Sequence, residues 1–174
     1  ILEKRMDMGE RLTENDVKKI QAEIEYRKLT VRKEAIEAVK EARAQGDLSE
    51  NFEYYAAKKD KNKNESRIRY LERMLKTAEI VSEDSKADEA GMNNVIEVYF
   101  EDDDETETYK LVTSIRGNSL DNKISIESPL GKAILGHREG DRVWVKIKEN
   151  VGYYIVIKKI FKNTDDTEDE IKSF

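Results

Sequence analysis

The sequence has no cysteine, one proline and one histidine among its 174 residues. Without cysteine there is neither a disulfide framework nor a thiolate metal site. With His137 as the only histidine, a zinc site would have to be all carboxylate, which is not the ligand set zinc favours. A metal bound here is expected to be a hard, oxygen-liking ion such as Mg²⁺. No apolar run approaches the roughly 20 residues that span a bilayer, and the N-terminus lacks the apolar core of a signal peptide. A soluble, cytoplasmic protein with no membrane partner is the resulting expectation. The first residue is Ile rather than Met, and the N-terminal residues therefore carry little weight.

What the chain has in quantity is charge: 40% of its residues are charged and 37% hydrophobic. That balance suits long solvated helices joined to something smaller and denser. The net charge of −6 is unevenly spread. Residues 1–80 carry 19 basic against 17 acidic side chains, and residues 81–174 carry 13 against 21. A weakly positive arm on an acidic body is not the footprint of a duplex-DNA binder, which would be basic throughout.

From Leu12 to Arg43 the apolar positions Val17, Ile20, Ile24, Val31, Ala35, Ala38 and Ala42 recur mostly at spacings of three and four. Thr13 is a fitting N-cap, with Glu14 and Asp16 in the first turn, where the helix dipole favours acids. The segment predicts a helix of roughly 30 residues, about 45 Å long. A second periodic segment runs from Phe52 to Ile80, with Asn64, Ile68, Leu71, Leu75 and Ala78 in heptad rhythm. Folding the chain back about residue 48 places Ile20 near Leu75, Ile24 near Leu71 and Ala42 near Tyr54. The prediction is an antiparallel coiled-coil hairpin over residues 1–81, with its tip at about 44–52 and Gly46 reversing the chain.

Residues 82–94 are polar and aperiodic and read as a linker. From Val95 the period changes to two. The segments 95–100, 108–115, 123–127, 141–148 and 153–161 read as strands, and Ser128 followed by Pro129 marks the start of a short helix. The expected class is α+β: a helical hairpin, then a small antiparallel sheet with one helix on its concave face, over residues 95–162. The acidic tail 163–174 is expected to be disordered.

Three groups of residues bear on chemistry. GDLSEN places Asp47 and Glu50 three residues apart in the turn between the helices. The plain explanation is an acidic turn that keeps the tip soluble, with Asp47 capping the second helix. Position argues for more, because two carboxylates at the end of a long rod have no core to serve. Mg²⁺ is usually held by one or two protein carboxylates, with water and phosphate completing the octahedron, so such a tip is half of a metal site that another macromolecule would complete. On the outgoing helix Lys59, Lys63 and Arg67 follow at i, i+4 and i+8, beside Lys58, with few acids nearby. A solvated flank is the ordinary reading of such a run; contact with a nucleic-acid backbone is the sharper one. Tyr54, Tyr55 and Phe52 beside the tip are candidates to stack on an unpaired base, although at least one must pack across the seam. Ser128 has no His or Asp partner for nucleophilic work, and capping accounts for it. His137 reads as structural.

EAVKEARAQGDLSENFEYYAAKKDKNKNESRIRYLERML in the first half and ISIESPLGKAILGHREGD in the second closely resemble the bacterial transcript-cleavage elongation factors of the Gre type. The resemblance runs from about Leu12 to Phe161. It implies a coiled-coil hairpin followed by a C-terminal domain of FKBP-like fold. It further implies an accessory factor, not itself an enzyme, that inserts the hairpin through the secondary channel of RNA polymerase. There Asp47 and Glu50, matching the family's acidic pair, would share a Mg²⁺ with the polymerase and help its own centre hydrolyse the backtracked RNA 3′ end. By the same resemblance Glu127, Ser128 and Pro129 match the loop that docks on the coiled-coil rim of the largest polymerase subunit. Lys58, Lys59, Lys63, Arg67 and Tyr54 are the candidate RNA contacts. A monomer is expected, with no metal bound to the isolated chain.

Three other functions compete. The family includes relatives that occupy the same channel and inhibit, but these differ at the tip, where GDLSEN here keeps both acids. A peptidyl-prolyl isomerase is suggested only by the FKBP-like fold, and fold does not carry function. A coiled-coil adaptor would leave the tip carboxylates unexplained.

Overall fold

The computed structural model describes residues 9–46, 51–162 and 165–172. The chain divides into a helical unit over residues 14–79 and a sheet unit from residue 80 onward, which also takes in Arg11–Thr13. The architecture is α+β, as the sequence leads one to expect.

In the helical unit, α1 (Glu14–Tyr26) starts directly after Thr13, passes through a π-helical turn at Arg27–Val31, and continues as α2 (Arg32–Ala44). The return helix α3 spans Phe52–Thr77, about 39 Å at the standard rise. Ile20, Ile68 and Leu71 are fully buried in the seam, and Ala42 is buried near its far end. Cross-helix polar pairs fix the register near the expected one. Arg32 grips Glu65 with two bonds of 2.7 and 2.9 Å, and Arg27 Nη1 donates to Asn64 Oδ1 at 3.1 Å.

The π turn changes which residues face the seam. Its wider winding retards the helix phase by about one residue. Beyond it Ala38, expected at the seam, is exposed, whereas Val39 is half-buried. The carbonyl of Arg27 holds the turn, accepting both the Arg32 amide and Asn64 Nδ2, the latter at 3.3 Å. On α3 Met74 is buried and Leu75 only half-buried, one position off the expected heptad.

The sheet unit is built on β1 (Val95–Phe100), β2 (Glu105–Val112), β3 (Lys123–Ser125), β4 (Arg142–Lys148) and β5 (Val151–Phe161). Their order across the sheet is β3-β2-β1-β5-β4. Alternation sends Ile96, Val98, Val143, Val145, Ile155 and Ile157 to one buried face, and the short helix α4 (Pro129–Ile134) packs against β4 and β3.

Three expectations need correction here. The sheet is not wholly antiparallel, because β3 pairs with β2 in parallel. The intervening residues form two 3₁₀ turns, Ser114–Arg116 and Ser119–Asp121, instead of a tight hairpin, and so bring the chain back in the same direction. The segment 82–94 is not simply a linker. Ala90 and Met92 are buried in the sheet core, and Asn93 N–H donates to Leu111 O at 2.7 Å. The tail is not disordered over its described part. Asp166 and Asp169 are buried, and Asp169 is salt-bridged to Arg116, Lys110 and Lys123. Strand β2 also begins three residues earlier than the pattern suggests, because its acidic first half lies on the solvent side.

Candidate functional site

The tip carboxylates Asp47 and Glu50 lie outside the described residues, so the geometry begins at their two flanks. Gly46 has φ +142°, a conformation that side-chain-bearing residues rarely adopt. On the far side Asn51 caps α3: its Oδ1 accepts from Tyr54 N–H at 3.0 Å while its Nδ2 donates to Ala42 O at 2.5 Å. One side chain thus satisfies an orphan amide of α3 and a carbonyl of α2, tying the two helices together beside the segment that joins them. This replaces the simple reading in which Asp47 caps the second helix. Asn51→Ala is expected to cost about 1–2 kcal/mol, read as a lower denaturation midpoint and reduced helicity in circular dichroism.

Of the three aromatic residues near the tip, Tyr54 is half-buried. Arg43 lies 5.6 Å from its ring centre and donates to its hydroxyl at 3.4 Å. That donation holds the phenol below its usual pKa. Tyr54 therefore packs along the hairpin flank. Phe52, 84% exposed, and Tyr55, 52% exposed, are the rings left open for stacking. Sequence order alone could not distinguish the three.

Lys58, Lys59 and Lys63 are exposed, as a backbone-contacting face requires. Arg67 is not part of that face. Its side chain is 8% exposed, and it donates to Glu23 through Nε at 2.8 Å and Nη2 at 3.2 Å. The reason is helical drift: eight residues at 3.6 per turn rotate Arg67 by roughly 80° from Lys59, onto the edge of the seam. Arg67 is thus withdrawn as an RNA contact. The folded-back sequence sets Arg67 opposite residues 28–29, more than one turn from Glu23, so no sequence signal points to this pairing.

Glu23 also accepts from Arg27 Nε at 2.8 Å. Burial alone would raise its pKa, but the two arginine donors outweigh burial and hold it below the ordinary value of 4.5. A folded-state pKa below the unfolded one gives stability that is complete above the unfolded value and is lost as pH falls through the folded one. Acid titration of helicity is expected to show the hairpin weakening below pH 4.5, and Glu23→Gln to lack that part of the fall.

In the sheet unit Ser128 is the N-cap of α4. Its Oγ accepts from Gly131 N–H at 3.1 Å and donates to Ser125 O at 2.6 Å. These bonds account for the hydroxyl fully and leave it no catalytic partner. Gly131 is required by close approach, since a Cβ there would sit 1.9 Å from Ser125 O. Glu127 is half-buried, and Arg11 Nε lies 3.5 Å from its carboxylate; Pro129 is exposed. Both residues border an open groove of about 410 Å³ that also takes in Lys132, Trp144 and Lys146. Trp144, 43% exposed, packs edge-on against Tyr154 at 4.9 Å, a surface role. His137 Nδ1 meets Asp141 Oδ2 at 3.1 Å. Among the described residues there is no group of three or more histidines and acids that could hold a metal, and no helix long and apolar enough to cross a membrane.

Two family models match in tandem. "Transcription elongation factor, N-terminal" covers residues 10–80, and "Transcription elongation factor, GreA/GreB, C-term" covers residues 84–161. Transcription elongation factor GreA of Thermoanaerobacter pseudethanolicus is 43% identical over 141 residues, spanning 80% of this chain and 90% of that protein. The GreA of Clostridium kluyveri is 40% identical over 147 residues, spanning 84% and 92%. A solved structure of the GreA factor homolog Gfh1 from Thermus thermophilus aligns over 87% of this chain and 98% of its own, at 28% identity and a TM-score of 0.41. Both family segments occur in order, and they meet between the helical hairpin and the sheet that the structure displays. On that evidence the chain belongs to the GreA/GreB family of transcription elongation factors.

Proposed function

We propose that this chain binds bacterial RNA polymerase, passes its hairpin into the secondary channel, and stimulates the polymerase's own cleavage of backtracked RNA. The observation that carries the reading is the presence of Asp47 and Glu50 in the sequence between the two helices of a hairpin, in a chain of an elongation-factor family. Two carboxylates are an oxygen donor set that fits Mg²⁺. They would hold the ion jointly with the polymerase, where a bound Mg²⁺ supplies Lewis-acid stabilisation of phosphoryl oxygens and a more acidic water.

The chain's own contribution is placement. Gly46, with its positive φ, and Asn51, which caps α3, flank the segment that carries the acids. Exposed Lys58, Lys59 and Lys63 offer charge to the RNA backbone, and Phe52 and Tyr55 offer ring faces to unpaired bases. Glu127, Ser128 and Pro129, with the groove beside them, are the proposed seat for the polymerase's coiled-coil rim. A defined backtracked complex incubated with this protein and Mg²⁺ tests the reading. Shortened transcripts with released 3′ fragments are expected. Loss of RNA synthesis without shortened transcripts would mean a channel-blocking inhibitor instead.

A further inference from the structure

The Asp169 carboxylate sits among three cations. It accepts from Arg116 Nη1 at 2.7 Å and from Lys110 Nζ at 3.0 and 3.1 Å, and Lys123 Nζ lies 3.0 Å away. The side chains of Asp169 and Arg116 are 1% and 0% exposed. Arg116 is held in place from below, with Nη1 donating to Asn93 Oδ1 at 2.7 Å and Nε to Thr113 Oγ1 at 3.1 Å. The receptor side comes from β2, the 3₁₀ turn after it and β3, all within the family's C-terminal segment. The carboxylate comes from beyond residue 161, where that segment ends.

Three cations converging on one buried point repel one another and bear a desolvation cost, so the position requires an anion. The seat also reads main chain on both sides of the carboxylate. Lys110 Nζ donates to Asp165 O at 2.6 Å, and Lys172 N–H donates to Ile115 O at 2.8 Å. Contacts to peptide carbonyl and amide are what distinguish recognition of a peptide from recognition of a phosphate. The bound segment is itself a compact turn, with Asp169 N–H on Asp166 O and Thr167 N–H on Asp165 Oδ1.

We propose that Lys110, Arg116, Lys123 and Asn93 form a receptor site for an aspartate-bearing acidic peptide, and that residues 165–172 are its tethered occupant. The tail then acts as a latch, and an acidic segment supplied in trans gains the site only when the tail leaves. This inference rests on the sheet unit alone and stands apart from the cleavage reading. Burial would raise the Asp169 pKa, but its lysine and arginine donors hold it low, in keeping with an ionised ligand. A short tether gives the tail an effective concentration of about millimolar, so a free peptide competes poorly with it in the intact chain.

The test is a fluorescein-labelled peptide of residues 165–172 titrated into the full-length chain and into full-length Asp169→Asn, followed by anisotropy. The variant is expected to bind the peptide at least about tenfold more tightly than the parent, because its latch no longer occupies the site. The same peptide carrying Asp169→Asn is expected not to bind. Equal affinity of the two proteins, or of the two peptides, overturns the proposal. Since Asp169→Asn leaves a buried guanidinium without its carboxylate and can unfold the unit, a second measurement uses the unmodified chain. Exchange of the Lys172 amide is expected to accelerate as unlabelled peptide is raised into the millimolar range. Exchange that the peptide leaves unmoved refutes the latch, and acceleration by single-stranded RNA at lower concentration than by peptide refutes the peptide specificity.

Discussion

Replacing Asp47 and Glu50 together with alanine is expected to lower factor-stimulated RNA cleavage by about 10²–10³-fold while leaving polymerase binding nearly unchanged. The magnitude follows from the role proposed for the pair. Metal-assisted charge stabilisation is worth several kcal/mol in a phosphoryl-transfer barrier, and each 1.36 kcal/mol is a factor of ten in rate. Binding survives because the proposed docking surface, Glu127 to Pro129, belongs to the sheet unit. The measurement is single-turnover cleavage of a stalled transcript at saturating factor, paired with a polymerase binding titration. Wild-type cleavage by the double variant would remove the metal role, and loss of binding in parallel with cleavage would make the acids docking residues.

Arg67→Ala is expected to destabilise the chain by about 2–3 kcal/mol. Breaking a buried ion pair by removing one partner typically costs about 3–5 kcal/mol. The lower range applies here because Glu23, 24% exposed, keeps Arg27 at 2.8 Å and some access to water. Lys59→Ala, on the exposed flank, is expected to stay within about 0.5 kcal/mol. Urea denaturation of the full chain separates the two, and a double-mutant cycle with Glu23→Ala isolates the pair's coupling. If Arg67→Ala proved neutral for stability and weakened RNA contact instead, Arg67 would return to the lysine face.

That contrast marks where the sequence was informative and where it was not. Period-3.6 spacing revealed both helices of the hairpin, and alternation revealed the strands, because burial of one face imposes those periods directly. The order Ser128-Pro129 revealed the start of α4, because the cap and the fixed proline φ act locally. Arg67 escapes the spacing argument because an i+8 step drifts off a helix face. Ala38 escapes it too, because the phase slips at Arg27–Val31, where Asn64 reaches across from the other helix, and no local propensity encodes that bond. The parallel pairing of β3 and the docking of Asp169 are likewise long-range outcomes. An acidic, weakly apolar tail looks disordered until a matching cationic seat is known, and that seat is assembled from Lys110, Arg116 and Lys123 only once the sheet has folded. The tip pair Asp47 and Glu50 was legible by another route, as charge placed where no core could use it.

The π turn makes the incoming helix a vernier. Residues 14–26 mesh with the base of α3 in one phase, and residues 32–44 mesh with its start in another. Closing that turn to ordinary α-helix at unchanged length would rotate everything beyond it by roughly 100°, swinging Ala42 away from the Asn51 amide that now clasps it, whereas deleting one residue within Arg27–Val31 would remove the extra winding and keep Ala42 in phase. The azimuth of the end of α2 is therefore set more than ten residues upstream, at the turn whose Arg27 carbonyl accepts from Asn64.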